Sequence, residues 1–457
     1  MASSTAYDST SWKLQARRIL QIALPVMLSY LGHVLVGTAD SMMVGQLGKV
    51  PLAAVSLANS IVVLPMMFGL GLSYGLTPLV AAADGRGNRR RIANLLQHSL
   101  LVNVLAGTAL SGLIVLLLPF LDDMEQPPAV VDIVGPYLAI AAGSLIPLMV
   151  FQAFKQFAEG LGFTRQAMYI TLLANGVNVF FNWLLIYGKW GFPALGLAGA
   201  GWATLLARVM MAIGMAYYCY KSPLFEPYRE YFSFKRFRRK MSVKLIKLGI
   251  PMGLQFTFEV GAFSGAVIMA GWISDTAQAA HQIAINLASM SYMIASGISA
   301  AATVQVGNLL GRKDVAGLRT AAVTAAALVL VLQTIFALLF LFGRHLLPTL
   351  YIDNTNVIDI AAGLLVIAAF FQLSDGLQVV GLGALRGMED VRVPTWITLF
   401  AYWILALPLG YLLGFTFDLG IVGVWWGLLT GLTVAAILLA IRFWWLSDKS
   451  RIQQLTA

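Results

Sequence analysis

The stretch MGLQFTFEVGAFSGAVIMAGW, residues 252–272, decides the fold class. It is apolar or small almost throughout. Wound as a helix at about 1.5 Å per residue it reaches about 30 Å, the thickness of a bilayer's hydrocarbon core. One charge, Glu259, stands near its middle.

The rest of the 457-residue chain repeats the pattern. Hydrophobic residues make up 59%, charged residues only 11%, and the mean hydropathy is +0.81, far from the balance of a soluble chain. Apolar runs separated by polar breaks predict twelve spans, at 17–40, 50–81, 93–119, 130–158, 164–187, 196–220, 244–272, 277–308, 316–343, 356–386, 393–416 and 420–446. The short alternating strands of an outer-membrane barrel are absent. The expectation is an all-α integral membrane protein of twelve transmembrane helices.

Twelve is even, so both termini lie on one side. With cytoplasmic termini, only Lys49, Lys189 and Arg344 fall in outside loops and Lys155 and Arg208 within spans, which leaves 25 of the 30 Lys and Arg inside. That bias is the positive-inside signature of a multi-pass protein of the cell inner membrane. The net charge of +10 is therefore topology, and Arg89-Arg90-Arg91 needs no nucleic-acid partner. The loop Leu121-Asp122-Asp123-Met124-Glu125 is acidic and outside. A polar dozen residues, then Lys13, Arg17 and Arg18, precede an apolar run followed by eleven more, which is no cleavable signal. A single cysteine, Cys219, and scattered His33, His98, His281 and His345 argue against a disulfide or a metal cluster.

The chain is written twice. Leu24-Pro25 returns as Ile250-Pro251 and Gly85-Arg86-Gly87-Asn88 as Gly311-Arg312-Lys313-Asp314, both at an offset of 226. Gly160, Arg165 and Thr171-Leu172 return as Gly387, Arg392 and Thr398-Leu399 at 227, and LGLAGAGW (195–202) as LGIVGVWW (419–426) at 224. Four matches in order at nearly constant offset mark a duplicated six-helix unit. Because six is even the copies are parallel, related by a pseudo-twofold axis along the membrane normal, with a cleft between them. The expected organisation is an N-terminal lobe at 1–220, a basic cytoplasmic linker at 221–247 containing Lys235-Arg236-Phe237-Arg238-Arg239-Lys240, and a C-terminal lobe at 248–457. The linker reads as a segment held at the surface by anionic lipid.

Two lobes and a cleft suit alternating access. No phosphate-binding loop, His-Glu-x-x-His or Gly-x-Ser-x-Gly occurs, so the pattern favours neither an enzyme nor ATP-driven transport, and it calls for no cofactor. An intramembrane aspartyl pair of Asp40 and Asp375 gains little support from the layout, and a channel would be expected to form from identical subunits. No obligatory protein partner is evident.

Charges inside the membrane are costly and so mark function. The acids read within spans are Asp40, Glu259 and Asp375. Glu259 lies twelve residues from Lys247, about 18 Å of helix, too deep to reach water along its own axis. Gln255 precedes it by one turn, and Gln372 and Gln378 flank Asp375, so each acid sits in a polar stripe. Asn178 with Asn182, and Gln282 with Asn286, form further stripes, readable either as interhelical hydrogen-bond partners or as site residues. Phe256, Phe258, Met290 and Met293 are either cleft lining or packing. Pro25 and Pro251 are expected to open equivalent helices, and Pro65, Pro147 and Pro408 to kink theirs.

These features together, with Gly37-Thr38-Ala39-Asp40-Ser41-Met42-Met43-Val44-Gly45, Ala279-Ala280-His281-Gln282-Ile283-Ala284, Gly311-Arg312 and the two Leu-Gly-x-x-Gly segments, resemble the multidrug and toxic compound extrusion (MATE) family, in its NorM-like branch. The resemblance spans about 12–445. It implies export of organic, often cationic and amphipathic compounds, such as drugs and dyes, in exchange for Na⁺ or H⁺. It also implies a C-lobe ion site at Glu259, Tyr292 and Asp375, and an N-lobe proton or cation site at Asp40, Asn178, Asn182 and Thr204. Some relatives have an acid at the position of Asn182; the amide here argues against a complete N-lobe Na⁺ site and leaves Asp40 as a proton carrier. Gln255, Gln282, Asn286, Met290 and Phe256 are the substrate-cleft candidates. The alternative is a flippase for lipids or lipid-linked oligosaccharides, whose cavity would be richly basic, whereas the spans hold two basic charges, Lys155 and Arg208, against three acidic. At the 226 offset Asp40 falls opposite Ala266 and Glu259 opposite His33, so the lobes share a scaffold and not a site.

Overall fold

The computed structural model describes residues 9–121, 123, 126–232 and 238–448. Among the described residues twelve helices are long and apolar enough to cross a membrane: α1 Trp12–Gly45, α2 Lys49–Gly85, α3 Arg89–Phe120, α4 Pro128–Gly160, α5 Arg165–Tyr187, α6 Leu197–Lys221, α7 Arg239–Ile273, α8 Asp275–Gly311, α9 Val315–Gly343, α10 Thr355–Gly387, α11 Arg392–Thr416 and α12 Gly420–Leu446. Among the described residues there is no strand. The predicted Lys235-Arg236-Phe237, and Asp122, Met124 and Glu125 of the acidic loop, lie outside the described residues.

Several helices start before their apolar runs, because backbone hydrogen bonding continues into the interface until a capping residue or turn stops it. One sequence expectation falls as a result. Pro25 and Pro251 do not open their helices; each lies inside one, α1 and α7 having begun at Trp12 and Arg239. Pro147 lies inside its span, which is interrupted as expected: α4 breaks at Ser144 and resumes at Leu145, so the proline sits in the first turn of the second segment, where its missing N–H costs nothing. Pro65 is interior to α2 as expected. Pro408 is flanked by π-helical turns at Phe400–Ala406 and Leu412–Thr416, which absorb the missing hydrogen bond.

The duplication is written in the backbone as well as in the letters. Gly87 (φ +66°) and Lys313 (φ +60°) occupy the same left-handed turn, followed by Asn88 and Asp314, which cap α3 and α9 by accepting from Arg91 N and Gly317 N at 2.9 Å. Gly162 and Glu389, and Gly196 and Gly420, are further pairs of positive φ at equivalent places. A lysine in this conformation carries about 1–2 kcal/mol of strain, more than the roughly 0.5–1 kcal/mol that a glycine adds to the unfolded chain's entropy. Lys313→Gly is therefore expected to stabilise the protein by about 0.5–1 kcal/mol, read as a raised melting temperature in detergent.

Contacts divide the chain into two units. One comprises residues 28–83 and 87–253. Within it α2 and the first part of α7 cross backbone to backbone through Gly71-x-x-x-Gly75 and Gly249-x-x-x-Gly253: a Cβ at Gly71 would stand 2.6 Å from Gly253 Cα, and one at Gly75 2.9 Å from Gly249 N. Small residues four apart permit such crossings where no hydrophobic force drives helices together.

The other unit comprises residues 1–27, 84–86 and 254–457. Here α8 and α10 cross at Gly383 and Gly387, tied by Ser299 Oγ donating to Val379 O (2.6 Å) and Thr303 Oγ1 to Gly383 O (2.9 Å). Gly423, Gly427 and Gly431 let α12 press against the π-helical α11. Its apolar centre is built around Trp425, Tyr402 and Phe371. The unit repeats are not identical: α2 and α4 are interrupted at Gly75 and Ser144, whereas α8 and α10 run unbroken, and α5 lacks the π turns of α11.

Candidate functional site

Two intramembrane acidic centres form, one in each unit. In the first, α1 brings Asp40 to α5 and α6. Asn182 and Asn178, one turn apart, face the same way, and Asn182 Nδ2 donates to the Asp40 carboxylate and to Asn178 Oδ1 (3.2 Å), while Asn178 Nδ2 donates to Thr204 Oγ1 (3.4 Å). The four residues thus make one hydrogen-bonded chain. Among the described residues Asn182 Oδ1 is left buried without a partner, an acceptor beside the carboxylate that a cation or a protonated group would satisfy.

Arg208, one turn beyond Thr204 on α6, donates to Ser144 Oγ at 2.6 Å and touches Met66 Sδ at 3.6 Å. It thereby pins the break in α4, and it lies in the electrostatic field of Asp40 and Tyr137. Lys155 pairs with Glu159 one turn on (3.8 Å, side chains 1% and 6% exposed) and lies over the Tyr30 ring at 5.3 Å. Glu159 escapes the sequence reading because the apolar run of its span ends at 158. Removing one partner of a buried pair strands a charge, at about 3–5 kcal/mol. Glu159→Gln alone is expected to cost that much, and Lys155→Met/Glu159→Gln less than the single change, as chemical denaturation of the purified protein would show.

In the second unit, α7 carries Glu259, α8 Tyr292 and α10 Asp375. Tyr292 is within hydrogen-bonding reach of Glu259, and Asp375 lies in the electrostatic field of Glu259. Both acids are buried, at 7% and 2% exposure. The structure therefore brings together the three residues picked from sequence. Two more belong to their surroundings. Arg386 on α10 donates to Gln255 Oε1 at 3.0 Å, lies over Phe256 at 5.2 Å and feels the charge of Glu259; in the sequence it is the last residue of its predicted span, where a charge reads as a helix end. Tyr402 on α11 is fully buried beside the centre; nothing in the periodicity marks it.

The cleft candidates separate. Gln255 is enclosed and spent on packing: its amide donates to Val391 O and Thr395 Oγ1, both at 3.1 Å, and accepts from Arg386. Phe256 is half-buried under that guanidinium. Gln282, Asn286 and Met290, spaced by four, form an open stripe on α8, with Gln282 Nε2 donating to Asn286 Oδ1 at 3.0 Å. His281 is enclosed and accepts from Trp425 Nε1 at 3.1 Å. The described part of the linker is anchored by Phe225, which sits among Phe157, Phe163 and Tyr218 with ring centroids 5.5–5.6 Å apart.

The MatE family profile matches residues 25–184 and 251–412, one copy in each half. Multidrug resistance protein NorM of Photobacterium profundum is 32% identical over 444 residues, covering 96% of this chain and 97% of that protein. A probable multidrug resistance protein NorM of Rhodopseudomonas palustris is 36% identical over 439 residues (95% and 93%), and multidrug resistance protein MdtK of Proteus mirabilis 34% over 449 (95% and 96%). Among solved structures, the eukaryotic MATE transporter AtDTX14 superposes with a TM-score of 0.87 at 20% identity, over 97% of this chain and 99% of that one. An outward-facing multidrug resistance MATE family transporter of the MOP superfamily gives 0.85 at 20%, over 96% of each; at that identity the likeness is one of fold. With the profile matching both halves, and relatives above 30% identity along nearly its whole length, the chain belongs to the MATE family of membrane transporters.

Proposed function

We propose that this protein exports organic, often cationic and amphipathic compounds, drugs and dyes among them, in exchange for inward Na⁺ or H⁺. The observation that carries the reading is the pair of buried acids, Glu259 and Asp375, held with Tyr292 in mid-membrane. The names of the relatives, multidrug resistance proteins NorM and MdtK, support it.

A carboxylate in a low-dielectric site resists being empty and ionised. A proton, a Na⁺ ion or an organic cation each relieves it, and the three compete. Ion binding from outside displaces the compound and permits return to the inward-facing state; the compound then displaces the ion on the cytoplasmic side. The lobes that alternate are 1–220 and 248–457, joined by the linker 221–247, in the inner membrane with both termini cytoplasmic. Asp40, with Asn178, Asn182 and Thr204, serves as a second proton or cation carrier in the N lobe. The coupling ion is cargo, and no resident cofactor is invoked. The open stripe of Gln282, Asn286 and Met290 suits a repackable contact surface for varied substrates.

Efflux of a fluorescent organic cation from inverted vesicles, with Na⁺ and pH gradients imposed separately, tests this. Acceleration by one of them supports the reading and names the ion; equal rates with and without both gradients would refute it.

A further inference from the structure

α11 is regular over Arg392–Leu399 and then π-helical over Phe400–Ala406. A π turn adds a residue and re-aims the side chains within it, a distortion that recurs at functional sites. Here it turns Tyr402 fully inward (0% exposed), while its neighbour Trp403 stays outside at 44% and donates its indole N–H to Phe258 O at 3.0 Å. Phe258 directly precedes Glu259, so that bond fixes the π turn against α7 at the level of the acid.

The Tyr402 ring packs on Phe263 (centroids 5.9 Å apart), and Phe263 on Phe371 (6.1 Å). Phe263 lies four residues after Glu259 and Phe371 four before Asp375, so each ring shares a helix face with one acid. Tyr402 thus packs into the ring cluster that flanks both acids and stands in the field of Glu259, Asp375 and Tyr292. Its hydroxyl is buried with no hydrogen-bond partner among the described residues. A phenylalanine would fill the same space without leaving a polar atom unpaired.

We infer that Tyr402 is a fourth side chain of the Glu259–Asp375 centre: its hydroxyl, unpartnered beside the acids, presents its oxygen to the cation when one is bound. This rests on the ion-exchange reading above. An unpaired buried hydroxyl is a structural burden, retained where a partner arrives during the working cycle.

The test is Tyr402→Phe in the full chain, read twice: as the melting temperature of the purified protein, and as the dependence of organic-cation efflux on the concentration of the driving ion. The melting temperature is expected to stay or rise. The half-saturating ion concentration is expected to rise about tenfold, the loss of one hydrogen bond to a charged group. An unchanged ion dependence, or a fall in melting temperature and transport together, overturns the inference. Glu259→Gln, measured in parallel, separates the two levels. If it leaves ion dependence intact, the carboxylate site itself fails; if it abolishes ion dependence while Tyr402→Phe behaves as the wild type, only the role of Tyr402 fails.

Discussion

Glu259→Gln and Asp375→Asn are each expected to weaken ion binding by about a hundredfold or more, the equivalent of about 2.7 kcal/mol, and to reduce gradient-driven efflux to that of vesicles lacking the protein. The reason lies in the arrangement of the centre. Glu259 and Asp375 sit on different helices, both are nearly closed to solvent, and they interact through their charges. Each amide keeps the size of the side chain it replaces but removes the charge that holds a cation or a proton. The neighbouring Arg386 is tied to Gln255 and Phe256, and it already offsets part of the negative charge. With one carboxylate gone, the remaining acid faces that guanidinium alone, and cation binding is no longer favourable. Helix packing rests on other atoms, so expression and melting temperature are expected to change little. Efflux at wild-type rate from both variants at matched expression would sink the account of the C-lobe site.

The second large effect is structural. Gly253→Val is expected to remove most folded protein from the membrane. A Cβ at Gly253 would lie 2.7 Å from Phe68 O and 2.8 Å from Phe68 Cδ2, and Gly71 approaches from the same side. Backbone cannot yield as a flexible side chain does, and overpacking of this kind costs about 1–3 kcal/mol or more. A second glycine in a helix supplies the comparison: Gly363 in α10 has nothing within 4 Å of its Cβ position. Gly363→Val should accumulate and elute in gel filtration like the wild type. Equal yields of the two valine variants would contradict the crossing of α2 and α7.

The reach of the sequence can be judged residue by residue. Twelve apolar runs were legible because a membrane span has a length requirement that few other structures share. Glu259 and Asp375 were legible because they interrupt such runs deep within, and Asp40 because it closes one at its outer end, behind Gly37-Thr38. Glu159 and Arg386 have equal claims to be intramembrane charges, but they stand at the ends of runs, where a charge looks like the start of a loop. What places them is tertiary: a pairing lysine one turn back for Glu159, and Gln255 on another helix for Arg386. Gln255 shows the converse error. Its spacing from Glu259 made it look like site lining, yet its partners, Val391, Thr395 and Arg386, are more than a hundred residues away, and no local pattern announces them. Tyr402 sits in FAYWILA (400–406), an apolar piece of its span like any other; a π turn has no periodicity to detect, so the inward face is visible only in three dimensions. The prolines were misplaced for a simpler reason. Apolar runs mark where hydrocarbon begins, whereas helices begin where a cap or turn allows.

The central claim is obligatory exchange of an organic cation for an ion at the buried carboxylates. Its most direct measurement is ion movement driven by the compound, in sealed liposomes containing the purified protein and no imposed ion gradient. Addition of a transported cation on one side should drive Na⁺, or protons, to move in the opposite direction, and Glu259→Gln should abolish that movement. Passage of the compound with no accompanying ion flux, in the wild-type protein, would contradict the account.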